Sequence, residues 1–243
     1  MNRREEDVAW WRRGRIIAAT VIAGGTLVGL AVPVAFRTEP PQSTPTAVRT
    51  IVQPGQLVSA PQVSLADVSW RDFHGVVLPY SPQDGPREID GDLARGFART
   101  PRGALLAAVH ITVRASMQWG PEVFEATIDH QVIGPDAEAL LAATRETYER
   151  HRGNRPDGAA LGRGYVVLEG FRWQGYSSVA ASVDLVSAGP GDSDVTVRAA
   201  TRIQLHWHNN DWRVLAPPGG TWAGTAAPVE SPGGYVRFPH GGG

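Results

Sequence analysis

Apolar positions along the chain fall into three regimes. From Ile16 to Phe36 they form a run of about twenty residues with no charge, broken by polar side chains only at Thr20 and Thr26. At ~1.5 Å of rise per residue such a run reaches ~30 Å, the thickness of a bilayer's hydrocarbon core, and it predicts a transmembrane helix. After residue 100 the spacing is helical. Thr100 and Pro101 supply a cap and a first helical residue, and Ala104, Leu105, Ala108, Val109 and Thr112 share a stripe. A second helix is predicted from Pro135. It has Asp136 and Glu138 at its positive end, Arg150, His151 and Arg152 at its negative end, and Gly153 as its exit. Its apolar side is Ala137, Leu140, Leu141, Thr144 and Tyr148.

Beyond residue 165 the period becomes two. Tyr165, Val167, Phe171 and Trp173 alternate with smaller or polar neighbours, as do Val179, Ala181, Val183 and Leu185. The longest series sets Val195, Val197, Ala199, Thr201, Ile203, Leu205 and Trp207 against Thr196, Arg198, Arg202, Gln204, His206 and His208. One face is buried and one wet, as in an antiparallel sheet. Asn209-Asn210 reads as the turn into a last strand, Trp212–Ala216. Two helices followed by such a meander predict an α+β domain with one helix layer on one curved antiparallel sheet.

The remaining segments read as connections. Residues 1–15 form a short head, and residues 37–67, with Pro40, Pro41, Pro45, Pro54 and Pro61, form an extended spacer. The domain proper covers 68–218, its start (Trp70 to Pro86) being an extended arm that buries aromatics. Residues 219–243 are a Gly/Pro-rich tail with Trp222, Tyr235 and Phe238 as docking points and a loose end at Gly241-Gly242-Gly243.

The long run is read as an uncleaved anchor and not a signal peptide, whose apolar core is only ~7–15 residues; Val32 to Arg37 also makes a poor cleavage site. Arg12, Arg13 and Arg15 crowd its amino-terminal flank, while Arg37 is partly offset by Glu39. Basic flanks stay in the cytoplasm, so the expected location is the cell membrane, single-pass, with the head inside and the domain outside. Trp10 and Trp11 suit the headgroup belt. Gly25 and Gly29 form a G-x-x-x-G pair, a weak signal for helix packing.

Composition narrows the possibilities. With Cys 0, no disulfide braces the domain and no thiol serves as nucleophile or ligand. Every basic residue is Arg or His, and Ala, Gly and Pro abound, a bias that suggests a GC-rich genome such as an actinobacterial one. Net charge is −1, and no basic stripe with interleaved aromatics appears, so direct nucleic-acid binding is not expected.

Candidate chemistry is sparse. His206 and His208 are spaced to offer two imidazoles from one strand face to a zinc, but no third ligand is placed and they fall on the wet face. Tyr165, Trp173 or Asp184 can line a pocket in a curved sheet. Neither a nucleophile elbow, a zinc-protease helix, a Walker loop nor a dinucleotide turn occurs. The Gly-rich patches at Gly189-Pro190-Gly191 and Gly219-Gly220 open no helix that would cradle a phosphate. The expectation is no catalytic, cofactor or metal site.

A set of motifs completes the reading. They are Trp70-x-x-Phe73-x-Gly75-x-x-Leu78-Pro79-x-Ser81, Gly85-Pro86, and Gly96-Phe97-Ala98-x-Thr100-Pro101-x-Gly103-Ala104-Leu105 with Ala107 and Ala108. Later come Gly170-Phe171-x-Trp173 and Asp211-Trp212-Arg213-Val214-x-Ala216-Pro217-Pro218. In these the chain resembles actinobacterial single-pass membrane proteins associated with conjugation. Those are similar in layout to the bitopic assembly factors of type IV secretion channels. The resemblance implies an external nuclear-transport-factor-like (cystatin-like) domain. It further implies a non-catalytic scaffold of a DNA-transfer channel whose partners are other channel proteins, further copies of itself and the membrane, with no small-molecule substrate. Two other classes stay open: an accessory or ligand-binding protein of Mce-like envelope lipid transport, and a cone-shaped enzyme.

Overall fold

A computed structural model describes residues 60–162, 166–191 and 195–239. Val63 and Leu65, ahead of the first strand, already pack against the core. The arm then folds on itself. Strands β1 (Ser69–Phe73) and β2 (Val76–Tyr80) form an antiparallel hairpin. Its turn uses positive φ at His74 (51°) and Gly75 (98°), the handedness that matches strand twist. A smaller hairpin follows, β3 (Glu88–Asp90) with β4 (Leu93–Arg95).

Helix α1 (Pro101–Arg114) begins as the sequence predicts, with the Thr100 side chain accepting from the Gly103 amide at 2.9 Å. Its surroundings differ from the prediction. Every residue from Gly103 to Arg114 is buried, so the helix is a central rod and not the amphipathic outer layer that a single stripe implies. It packs on the main sheet on one side and on β2, β4 and the next helix on others. That next helix, α2 (Pro121–Gln131), was not expected. Gly120 at φ 90° and Pro121 start it, and Val123, Phe124, Thr127, Ile128 and Gln131 form its buried stripe. Helix α3 (Ala137–Arg152) is the predicted second helix, beginning two residues after Pro135 and ending at Gly153 with φ 57°. It packs on α2 and fully buries only Leu140 and Tyr148.

The main sheet contains β5 (Val132–Ile133), β6 (Val167–Tyr176), β7 (Ala180–Pro190), β8 (Thr196–His208) and β9 (Asp211–Leu215). Two tail strands, β10 (Ala226–Pro228) and β11 (Val236–Arg237), complete it. The order is β11-β6-β7-β8-β9-β5, with β10 also on β8. Asn209 (φ 50°) and Asn210 (φ 59°) make the predicted tight turn between β8 and β9. Alternation holds in the middle of β8, where Thr201, Ile203 and Leu205 are buried and Arg202, Gln204 and His206 exposed. It fails at two places. A bulge between Leu168 and Gly170 puts Leu168 inside and leaves Val167 outside. At the start of β8, Val195 and Val197 are exposed although the alternation places them inside.

These features overturn the expected fold class. The domain is not the nuclear-transport-factor-like (cystatin-like) arrangement of helices on a curved, wholly antiparallel sheet. The seven-stranded sheet is mixed, because β5 leaves the end of α2 and pairs parallel with β9, Val132 opposite Val214. The tail, read from sequence as a Gly/Pro-rich segment with aromatic docking points, supplies two more strands. Strands of two or three residues carry no readable period, which is why hydrophobic patterning missed them. Among the described residues no helix is long and apolar enough to cross a membrane. The expected span Ile16–Phe36 with Gly25 and Gly29, the head with Trp10 and Trp11, the spacer up to residue 59, Tyr165 and Gly241–Gly243 lie outside the described residues.

Gly103 gives the sharpest local test. A Cβ there would stand 2.0 Å from the Ala98 carbonyl oxygen. Alanine in a helix interior is ordinarily favoured over glycine by up to ~1 kcal/mol. Here Gly103→Ala is expected to lower the melting temperature, and a neutral or raised value would show that the Ala98 turn can move away.

Candidate functional site

Three buried polar nodes tie the motif segments together. The first is Asp211, at the start of β9 directly after the Asn-Asn turn. One carboxylate oxygen accepts from the amides of Phe97 and Trp212, each at 2.9 Å. The other accepts from the Gly96 amide at 3.0 Å and from Arg213 at 3.1 Å. The next residue repeats the grip, since the Trp212 indole donates to the Ala98 carbonyl at 2.9 Å while its ring is fully buried. The Gly96-Phe97-Ala98 segment that leads into α1 is therefore held by side chains more than a hundred residues later.

The second node is Asp84, almost fully buried ahead of α1. It accepts from Ser81 at 3.3 Å, from the capping Thr100 and from Arg102. Burial pushes its carboxyl up, but the bonds from Thr100, Arg102 and Ser81 outweigh this and hold it below the usual range. Arg102 also reaches Asp67 and the Ser64 carbonyl, so the entering chain is fastened to the start of the same helix.

The third node lies at the other end of α1. His110 has no exposed surface, and Arg114, one turn later, is 1% exposed. A His110 Nε2 lies 2.6 Å from the Pro79 carbonyl, and Nδ1 lies 2.7 Å from the Arg114 guanidinium. A carbonyl only accepts and a guanidinium only donates, so His110 must be neutral with its proton on Nε2. Burial first, then the Arg114 charge, drives its pKa well down. Arg114 donates to the Asp92 carbonyl at 2.6 Å and sits 4.2 Å above the Phe73 ring. No carboxylate faces it within ion-pair distance among the described residues, and burial lowers its pKa as well.

The far face of the sheet carries a fourth arrangement. Arg172, Asp184 and Arg202 stand opposite one another on β6, β7 and β8. The Asp184 carboxylate is buried beneath both arginines, at 3.2 Å and 2.9 Å, with Gln174 donating at 2.6 Å. Buried Glu169 is met similarly by Arg198 at 2.8 Å. The two arginines on Asp184 are about half exposed, so the ladder presents charge to solvent above a buried carboxylate.

The sequence-named residues do not converge. Asp184 and Trp173 occupy opposite faces, because Arg172 pairs with Asp184 while Trp173 pairs with Val183 on the core side. Trp173 is partly buried against Phe171 and Tyr176. His206 and His208 are exposed on the wet face, as alternation requires, and no group of metal-binding side chains assembles among the described residues. Gly219 and Gly220 form a single turn against α3 and not a cradle. Sequence reasoning missed Asp211, Asp84 and the His110–Arg114 pair as nodes. Only the i,i+4 spacing of His110 and Arg114 signalled that those two side chains meet.

This geometry defines a class: a mixed-sheet domain around a buried rod, whose buried charges are engaged within its own chain and which is closed by its own tail. The chain belongs to the family described as a domain of unknown function (DUF8175), whose model matches residues 31–237. No curated protein and no solved structure matches it.

Two outcomes follow from the nodes. Asp211→Ala leaves the amides of Gly96 and Phe97 without their acceptor and is expected to cost roughly 2–4 kcal/mol in urea denaturation. An unchanged midpoint would deny the node its role. For His110 the folded state resists a proton that the unfolded chain takes up near pH 6.5, so stability is present above that pH and lost as pH falls below it. The loss approaches ~1.4 kcal/mol per pH unit, and His110→Gln should be less stable at pH 7.5 but flatter between pH 7 and 5.

Proposed function

We propose that the protein is a membrane-anchored, non-catalytic scaffold of a conjugative DNA-transfer channel, presenting its domain outside the membrane and acting through protein contacts. The observation that carries this reading is where the motif residues go. Gly96, Phe97 and Ala98 are gripped by Asp211 and Trp212. Gly103 has no room for a side chain against Ala98. Phe73, Leu78 and Phe171 are core. The residues that carry the resemblance thus fix a shape, and a part that must fit neighbours needs shape. The predicted span supplies the anchor.

Deleting the gene is expected to lower conjugative transfer strongly. The full chain should restore transfer, and a version lacking residues 16–36 should not. Transfer that is unchanged by the deletion would end the proposal, and a lipid-uptake defect in its place would favour the envelope-transport class.

A further inference from the structure

The tail does more than end the chain. Strand β10 pairs with β8, Ala227 opposite Ala200, whereas β11 pairs with β6, Val236 opposite Phe171. These partners lie on either side of β7, so residues 229–235 must cross the sheet as a strap. They cross on the face away from α1, because the Tyr235 ring stacks 4.4 Å from the Arg172 guanidinium of the ladder. Val186 and Ala200 lie on that same face and are buried although they belong to no part of the main core. The strap ends in a plug. Phe238, 2% exposed, sits between Trp70 at 5.4 Å and Phe171 at 5.6 Å, and its amide donates to the Glu169 carbonyl at 3.0 Å. The receiving edge is shaped for this backbone, since a Cβ on Gly170 would fall 2.4 Å from the Val236 carbonyl oxygen.

The link is short for its task. Four strand spacings of ~4.8 Å separate β10 from β11, about 19 Å, and the intervening residues reach at most about 25 Å. Its middle is Pro232-Gly233-Gly234, a hinge composition. A short hinge between two small strands that seat on separate edges favours exchange between copies, because the contacts β11 makes in a neighbour are identical to those made at home. The balance is then set by the local concentration of neighbours, which a shared membrane raises.

We propose that the strap is exchangeable: residues 231–239 of one copy seat on the β6 edge of a second copy, with Phe238 plugging the pocket between Trp70 and Phe171. This rests on the reading of the protein as an assembling scaffold and names the surface by which copies join.

The test uses full-length chains in the membrane. Two differently tagged copies are co-expressed, one carrying Arg172→Cys and the other Tyr235→Cys. The register that sets Val236 against Phe171 and Arg237 against Gly170 makes 235 and 172 the next opposed pair. Such a pair lies ~5 Å apart, within disulfide reach, in a chain whose own cysteine count is Cys 0. Mild oxidation is expected to give a dimer joining the two tags, in excess of same-tag dimers. Copies that co-purify without this link would overturn the exchange and leave the assembly reading standing. Copies that do not co-purify would overturn both. A second measurement avoids reliance on Arg172: a chain ending at Glu230 is expected to gain several degrees in melting temperature when a synthetic peptide of residues 231–239 is added. No gain would show that the edge does not accept a strap from outside.

Discussion

The Asp211 carboxylate is the constraint on which the domain's arrangement depends. Its two oxygens collect backbone amides from Gly96, Phe97 and Trp212 together with the Arg213 guanidinium. A buried carboxylate is costly unless it is this well satisfied, and once satisfied it tolerates little displacement of its donors. It therefore sets the position of the segment that leads into α1, and with it the rod around which the hairpins, α2 and the sheet are laid. The Trp212 indole on Ala98 adds a second point of attachment, so that the segment is fixed in direction as well as place.

At the far end of the rod the arrangement is different. Arg114 is buried with no counter-carboxylate among the described residues and is held by a carbonyl, a neutral imidazole and an aromatic face. Each is a weak partner taken singly. Together they substitute for water around a cation whose desolvation would otherwise be severe. The Pro79 carbonyl, by accepting from His110, decides which imidazole nitrogen is left to face Arg114, and so links the β1–β2 hairpin to the end of α1.

What the sequence made legible follows from length and period. Helices α1 and α3, the Asn-Asn turn and the centre of β8 all have several turns or several alternations in which to declare themselves. Helix α2 was readable in retrospect from Gly120-Pro121 and the spacing of Val123, Phe124, Thr127 and Ile128. The two-residue β5 and β11 were not, because their pairing is decided by what lies beside them and not by their own residues. The expectation of a wholly antiparallel sheet failed for that reason, although β6 to β9 do pair in sequence order as an antiparallel meander. Polar nodes are harder still: Asp211 and Asp84 look like surface carboxylates until the chain brings their donors from far away. Trp173 and Asp184, each named as able to line a pocket, lie on opposite faces because positions 172 and 173 on one strand face opposite ways.

The Trp70–Phe238 contact sets where the chain enters and leaves the domain. Trp70 follows the entering segment by a few residues, and Phe238 is close to the last described position. Both ends of the domain thus emerge at one pole, side by side. If the amino-terminal side is moored, tension along it is met first at Asp67 and Arg102 and then at the hairpin that Phe238 wedges. Phe238 thus makes the described tail a clasp on the hairpin beside which the chain enters the domain.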